Sequence, residues 1–171
     1  MVARMTSAEL LMDAFGRVRE DVQNAVSGLS ADELAARLDE DANSIAWLVW
    51  HLSRVQDDHV ANAFGADQVW PAWADRFGLP FGIAEVGYGQ DSESVAAVRV
   101  PGDRLMGYHD AVHNATMALV SGVKDPDLDE IVDRRWDPPV TLGVRLISVV
   151  NDTTQHAGQA AFIRGVLLRR R

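Results

Sequence analysis

The feature that most constrains the fold of this chain is a hydrophobic repeat with a period near 3.6 residues, which occurs in four stretches. That spacing places apolar side chains on one face of an α-helix, whereas a half-buried strand alternates at every second residue. No stretch alternates convincingly in that way. The sequence therefore predicts an all-α fold, a four-helix bundle whose helices turn their apolar faces inward.

Capping residues and helix breakers indicate where the helices begin and end. Thr6 with Glu9, and Ser30 with Glu33, have the spacing of capping boxes. Thr141 is a good N-cap for the last helix. The predicted segments are residues 6–28, a short helical turn at 30–38, a helix capped by Asn43 or Ser44 that ends at 64, and helices at 103–121 and 141–168.

A long loop, residues 65–100, separates the second long helix from the third. The helical period is lost in this segment, which contains many Gly and Pro residues. Large aromatic side chains lie between these residues, including Trp70, Trp73 and Tyr88. A long irregular segment in a compact domain is often a binding loop or a lid. It can equally be a packed surface loop whose tryptophans cover the bundle, and the sequence leaves both interpretations open.

The size and the cysteine count limit the chemistry that the chain can perform. The 171 residues suit one domain over 1–171, which can bury about two thirds of its unfolded surface without disulfides. The chain has no Cys. A cysteine nucleophile or an iron–sulfur cluster held by this chain is therefore excluded, and any sulfur chemistry needs a thiol supplied by a ligand.

The charge disfavours nucleic acid as a partner. The 16 Lys and Arg residues against 25 Asp and Glu give a net charge of −9, whereas nucleic-acid binding draws its affinity largely from cationic side chains. Charged residues, including Glu9, Asp13 and Arg17, interrupt the N-terminal apolar pattern, and no uncharged run approaches the roughly 20 residues of a membrane span. We expect a cytoplasmic protein without a membrane or nucleic-acid partner.

Three polar residues lie on helix faces that should be apolar. On the last helix, Asp152 and His156 share a stripe with Val149, Ala160 and Ile163, and His51 lies between Leu48 and Val55 on the second long helix. A carboxylate in such a place is costly unless it is paired or bound to a cation. If the two helices face each other, the three side chains could bind Zn²⁺ or another divalent ion.

Spacing alone does not decide between a metal site and ordinary core residues. An inward histidine can be a hydrogen-bonded core residue, and Asp152 can pair with His156 across one helical turn. His109 and His113 form a second pair four residues apart, but His113 lies at the flank of its stripe. His59 could be an acid–base group at the mouth of the site or a helix-end residue.

Two motifs resemble those of the DinB-like superfamily. Residues 43–52, NSIAWLVWHL, are similar to its second-helix signature; residues 140–143, VTLG, followed by 152–159, DTTQHAGQ, are similar to its fourth-helix signature. Both motifs occur in order across nearly the whole chain. Within the superfamily the chain is most similar to the branch of mycothiol S-transferases and the related mycothiol-dependent maleylpyruvate isomerases.

This resemblance implies a DinB-like bundle with a divalent metal, usually zinc, at His51, Asp152 and His156. The family often has His or Glu where this chain has Asp152, which is shorter than Glu by one methylene. The implied activity is transfer of a low-molecular-weight thiol, mycothiol, to an electrophilic small molecule through a zinc-bound thiolate. Members of the family are often dimers, so a homodimer is one possible state of this chain.

We expect the loop at 65–100 to shape the pocket, with Trp70, Trp73 and Tyr88 as candidates to contact the substrates. Two other functions stay open on the sequence. The first is metal-assisted hydrolysis by a zinc-bound water, for which His59 is the only candidate base, about 80° round the helix from His51 at 100° per residue. The second is a non-catalytic bundle whose His and Asp residues serve folding or an interface.

Overall fold

A computed structural model of this protein describes residues 5–170, which form a four-helix bundle with short elements in its connections. The four long helices are α1 (Ser7–Val26), α3 (Ile45–Phe64), α6 (Gly102–Val120) and α7 (Leu142–Arg169). Both α3 and α1 pack against α7 and α6, whereas α1 and α3 scarcely touch. The all-α bundle expected from the sequence is confirmed, with α3 and α7 as neighbours along the site.

The helix ends follow the capping chemistry of the sequence. Thr6, Ser44 and Thr141 are N-caps whose side chains accept backbone N–H groups, and the capping box of Thr6 with Glu9 is formed. The short helix α2 (Ala31–Ala35) is shorter than the predicted helical turn, which extends to Leu38. The capping chemistry therefore set the beginnings of these helices more accurately than the end of α2.

The loop at 65–100 is folded over α3. It contains a 3-10 helix at Trp70–Ala72 and two short helices, α4 (Ala74–Phe77) and α5 (Ser92–Ala97). Residues 45–57 of α3 are buried on every side. The single apolar stripe predicted for this helix is therefore too narrow, because the loop covers the side that the bundle leaves exposed.

The connection between α6 and α7 contains the two strands of the described residues, which the sequence did not predict. After a 3-10 helix at Asp125–Asp129, β1 (Ile131–Asp133) pairs antiparallel with β2 (Val140–Thr141). Strands of two and three residues are too short to show an alternating pattern. The ribbon brings Asp133 against α7, where it contributes to the mouth of the site described below.

Within the described residues, none of the helices combines the length and the apolar character needed to cross a membrane.

Candidate metal centre

The structure brings His51, Asp152 and His156 together between α3 and α7. One ligand atom from each residue lies within 4.8 Å of the other two. The rings of His51 and His156 have centroids 4.9 Å apart, and Nε2 of His156 lies 3.7 Å from Oδ2 of Asp152. These are the three residues whose polarity conflicted with their apolar helix faces, and they alone in the described chain form such a cluster.

His51 presents an unprotonated nitrogen to the cluster. Its Nδ1 atom lies 2.5 Å from the backbone carbonyl oxygen of Val86, which can only accept a hydrogen bond. The proton of the neutral ring is therefore on Nδ1, and Nε2 has a free lone pair. Burial lowers the pKa of His51, which keeps the ring neutral.

His156 is oriented in the same way by its own helix. Its Nδ1 atom lies 3.1 Å from Oε1 of Gln159, three residues further along α7. With Nδ1 donating to this amide oxygen, Nε2 of His156 is also an acceptor and faces Asp152. Hydrogen bonds that fix the remote ring nitrogen in this way are typical of metal-ligating histidines.

One oxygen of the Asp152 carboxylate has no hydrogen-bond donor. Its Oδ1 atom is buried and without a partner, and its Oδ2 atom faces the unprotonated Nε2 of His156. Two imidazole lone pairs and a carboxylate therefore converge with nothing between them to donate, which is unfavourable unless a cation is present. The residues fit a divalent ion that takes nitrogen and oxygen ligands.

The centre is closed on one side and open on the other. His51 is buried, whereas the side chains of His156 and Asp152 are 19% and 26% exposed. Trp47, one turn before His51, stacks on the His51 ring at 4.6 Å and contacts His156 edge-on at 6.5 Å. Sequence reasoning missed Trp47 as a site residue, although its place four residues before His51 was a usable signal.

The loop backbone approaches His51 at Gly87. A Cβ atom built there would lie 2.6 Å from Nδ1 of His51 and 3.2 Å from the Trp47 ring, and the φ angle of Gly87 is +102°. An L-amino acid with a side chain rarely adopts that conformation. Glycine at this position thus permits the Val86 carbonyl to reach His51.

A buried ionic network anchors the loop to α3. Arg54, which is 0% exposed, donates from Nε to the carbonyl oxygen of Glu85, and its Nη1 contacts Asp57, Gln68 and Tyr108. The Glu85 carboxylate accepts the next two backbone N–H groups of the loop. Asp57 accepts the backbone N–H groups of residues 69 and 70. Both ends of the segment that meets the centre are therefore attached to one helix.

Tyr88, His59 and Arg145 form the mouth of the centre. The Tyr88 ring lies 5.2 Å from His51 and 6.4 Å from His59, and it is largely exposed. Partial burial and the negative charge of Asp152 raise the pKa of Tyr88, so its hydroxyl stays protonated. Desolvation and the Arg145 charge lower the pKa of His59, which favours its neutral ring.

The structure separates the two tryptophan candidates from the centre. The Trp70 ring is buried against Trp50, Phe77 and Tyr108 and lies over Arg54. Trp73 packs beside Gly107 on α6. Of the three aromatic candidates, Tyr88 is thus the one with a ring contact to a clustered histidine, His51.

His109 and His113 lie away from the centre, with His109 inside the bundle. Ser53 donates its one proton to the carbonyl oxygen of Val49 and so accepts from Nδ1 of His109 at 3.0 Å. His109 Nε2 and His113 Nδ1 are buried without partners. No third His, Cys, Asp or Glu of the described chain joins this pair in a cluster.

Comparisons with known proteins agree with this architecture. A family model described as mycothiol-S-transferase matches residues 10–168. A solved structure, titled the crystal structure of the conserved protein of locus from Enterococcus faecalis, superposes with a TM-score of 0.88 at 26% identity. That match covers 96% of this chain and 99% of the other. Among curated proteins, none matches this chain.

Proposed function

Because this chain belongs to the mycothiol-S-transferase family, within the DinB-like superfamily, we propose that it joins mycothiol to an electrophilic small molecule with the help of a bound zinc ion. The observation that carries the proposal is the convergence of two imidazole lone pairs and an under-bonded carboxylate at a place open to solvent on one side. Such a set binds a divalent cation and leaves room for a substrate.

His51, Asp152 and His156 would hold the ion through two nitrogens and one oxygen. When bound, the ion supplies a Lewis acid that lowers the pKa of a coordinated thiol, so that sulfur is a thiolate at neutral pH. Two neutral imidazoles and one carboxylate leave a net positive charge on a divalent ion, which favours an anionic sulfur. The chain has no Cys, so the sulfur comes from the co-substrate.

The residues around the three ligands have separate tasks. The Val86 carbonyl and Gln159 fix the ring orientations of the two histidines, and Trp47 covers one side of the centre. Tyr88 stands at the open side, where an incoming electrophile would pass. In the reaction, the sulfur forms a bond to the electrophilic carbon, the leaving group departs with its electron pair, and the thiol proton goes to solvent.

Hydrolysis would need a base, and the candidate from the sequence is already engaged in a hydrogen bond. The candidate base from sequence, His59, contacts the Arg145 guanidinium through Nδ1 at 3.1 Å. A guanidinium only donates, so Nδ1 of His59 is the acceptor and the ring proton is on Nε2. Neither nitrogen of His59 is then free to take a proton from water, and we favour thiol transfer for this reason.

Transfer can be measured with a bimane-type electrophile, monobromobimane, incubated with protein, zinc and mycothiol. The sulfur displaces bromide, and the conjugate is quantified above the rate without protein. We expect the rate to depend on thiol and zinc. In His156→Ala it should fall at least about tenfold, since even the outer partners of metal ligands are worth about 10- to 100-fold.

His113→Ala is the matched control, because it removes one of a pair of histidines four residues apart on another helix. It should keep the wild-type rate. Product formed without thiol would instead support hydrolysis, and equal rates in His156→Ala and the wild type would exclude the proposed centre.

A further inference from the structure

A hydrogen-bonded series of three side chains connects the β-ribbon to the mouth of the centre. Arg145 Nη2 donates to Oδ2 of Asp133 at 2.9 Å, and Arg145 Nη1 donates to Nδ1 of His59 at 3.1 Å. Asp133 is buried, and the Arg145 side chain is 12% exposed. Hydrogen bonds from Arg135 lower the pKa of Asp133, so this carboxylate stays ionised and keeps Arg145 in place.

This series of hydrogen bonds determines which nitrogen of His59 is protonated. Oδ2 of Asp58 lies 3.8 Å from Nδ1 of His59, beyond hydrogen-bond distance, so Nδ1 accepts from Arg145 at 3.1 Å. The neutral ring then carries its proton on Nε2, which is a hydrogen-bond donor. Within the described residues, no protein group is hydrogen-bonded to this Nε2. It is also not one of the buried polar atoms that lack a partner. Since the His59 side chain is 26% exposed, the N–H group is accessible to a ligand.

The Tyr88 ring connects His59 to the centre. The Tyr88 ring contacts both histidines, with centroid distances of 5.2 Å to His51 and 6.4 Å to His59. Arg145 is seven residues before Asp152 on α7, so the two residues share a helix face. His59 therefore lies, through its contacts with Tyr88 and Arg145, beside the opening that leads to the three clustered ligands.

We propose that Asp133 and Arg145 are positioning residues that hold His59 as a fixed hydrogen-bond donor for an oxygen acceptor, a carbonyl or carboxylate, on a substrate at the centre. This inference rests on the proposed thiol transfer. The oxygen belongs either to the thiol co-substrate or to the electrophile, and the two sources can be separated experimentally. Arginine suits the position because its planar fork contacts Asp133 and His59 at once.

Nuclear magnetic resonance of protein labelled with ¹⁵N at histidine tests the positioning. Long-range ¹H–¹⁵N spectra should show His59 in the Nε2–H form in the wild type. In Arg145→Met the same ring should become a mixture of both tautomers, while His113, which has no arginine hydrogen bond, keeps its spectrum. Arg145→Lys retains a donor and should retain more of the Nε2–H form than Arg145→Met does. An Nδ1–H ring in the wild type, or no change in Arg145→Met, would overturn the proposal.

Adding mycothiol alone, or monobromobimane alone, whose bimane rings carry carbonyl groups, identifies the source of the oxygen. One of these additions should shift the Nε2–H resonance of His59. If none does, the donor role is wrong, whether or not thiol transfer occurs.

Kinetics supply a second readout with His59→Gln and His59→Leu. Gln keeps an N–H donor at similar reach, whereas Leu removes it. We expect His59→Leu to raise the KM of the oxygen-bearing substrate by about five- to tenfold with a smaller change in kcat, the size expected for one lost hydrogen bond. His59→Gln should stay within about threefold of the wild type on the same grounds. Equal effects of the two variants would contradict the donor role. If the wild type transfers no thiol, the proposed function is wrong, and the donor role of His59 is then tested by the spectra alone.

Discussion

The Nδ1 atom of His51 on α3 lies 2.5 Å from the backbone carbonyl oxygen of Val86 in the loop between α3 and α6. This contact joins a ring in the first half of α3 to a backbone group 35 residues later in the chain. It sets the direction of the unprotonated Nε2 atom and makes the loop part of the site. The geometry of the proposed metal ligands therefore depends on how the loop is held.

Gly87→Ala should weaken zinc binding more than it weakens the fold. The added Cβ would lie 2.6 Å from Nδ1 of His51, so either the ring or the Val86 carbonyl must move. The cost in folding free energy should be about 1 to 3 kcal/mol, from the positive φ angle and the contact together. Zinc affinity, measured by competition with a chelating dye, should fall by about tenfold or more, as for loss of a ligand-orienting partner.

Gly89→Ala is the matched control for that experiment. Gly89 also has a positive φ angle, +70°, but a Cβ atom there would meet nothing within 4 Å. It should lose a similar amount of stability from backbone strain and keep its zinc affinity. Equal zinc affinities in the two variants would show that the close approach at Gly87 does not matter.

Zinc should stabilise the wild type and not Asp152→Asn. A ligand that binds only the native state adds about 2.7 kcal/mol at 100 times its dissociation constant. The amide of Asn lacks the negative charge that Asp152 supplies beside the Nε2 atom of His156. Thermal unfolding with zinc and with a chelator measures the difference, and Asp21→Asn, an exposed carboxylate on α1, should behave as the wild type. A zinc-dependent shift that survives in Asp152→Asn would argue against Asp152 as a ligand.

Arg54→Met should destabilise the protein strongly. Arg54 and Asp57 are 0% and 3% exposed at the side chain, and removal of one partner of a buried ion pair typically costs about 3 to 5 kcal/mol. Arg17→Met breaks the exposed pair with Asp13 and should leave the stability almost unchanged. Urea unfolding compares the two variants. A small effect of Arg54→Met would mean that Asp57 is satisfied by its other donors.

Acid should destabilise the protein in part through His109. Burial lowers the pKa of His109 from 6.5 to about 4, so between these values the unfolded state binds a proton that the native state does not. Stability therefore rises with pH across this window and falls as pH decreases. From pH 7.5 to pH 5 this one group should remove about 2 kcal/mol.

His109→Gln isolates that contribution because Gln does not titrate. Urea denaturation at pH 7.5 and pH 5 gives the decrease in the free energy of unfolding between these two pH values. This decrease should be about 2 kcal/mol smaller in His109→Gln than in the wild type. The comparison uses the change within each variant, so a constant cost of the substitution cancels. Identical pH dependence in the two proteins would show that His109 is accessible to protons in the native state.

The helices and their order could be predicted from the sequence, since they depend on local rules. Thr6, Ser44 and Thr141 cap helices because their side chains accept hydrogen bonds from residues three positions later. The conflict at Asp152 and His156 was also visible, because both residues are on one helix at a spacing of four. The β-ribbon escaped prediction, since strands that short carry no period.

The roles of Trp70, Trp47 and His59 could not be assigned in this way. Trp70 looked like a binding residue in an irregular loop, yet its ring is buried among Trp50, Phe77 and Tyr108. Trp47 was not singled out in the sequence, yet its ring stacks on His51. Which aromatic ring meets which partner depends on the path of the loop, and no short sequence period encodes that path.

By itself, then, the sequence determined an all-α bundle and the helix faces on which His51, Asp152 and His156 lie, because helical geometry relates residues three and four apart. Only the tertiary structure decided that α3 and α7 are neighbours and that the Val86 carbonyl orients His51. It also placed Arg145 between Asp133 and His59. Those relationships come from packing and hydrogen bonding between residues distant in the chain, which satisfy buried polar groups that no local pattern can pair.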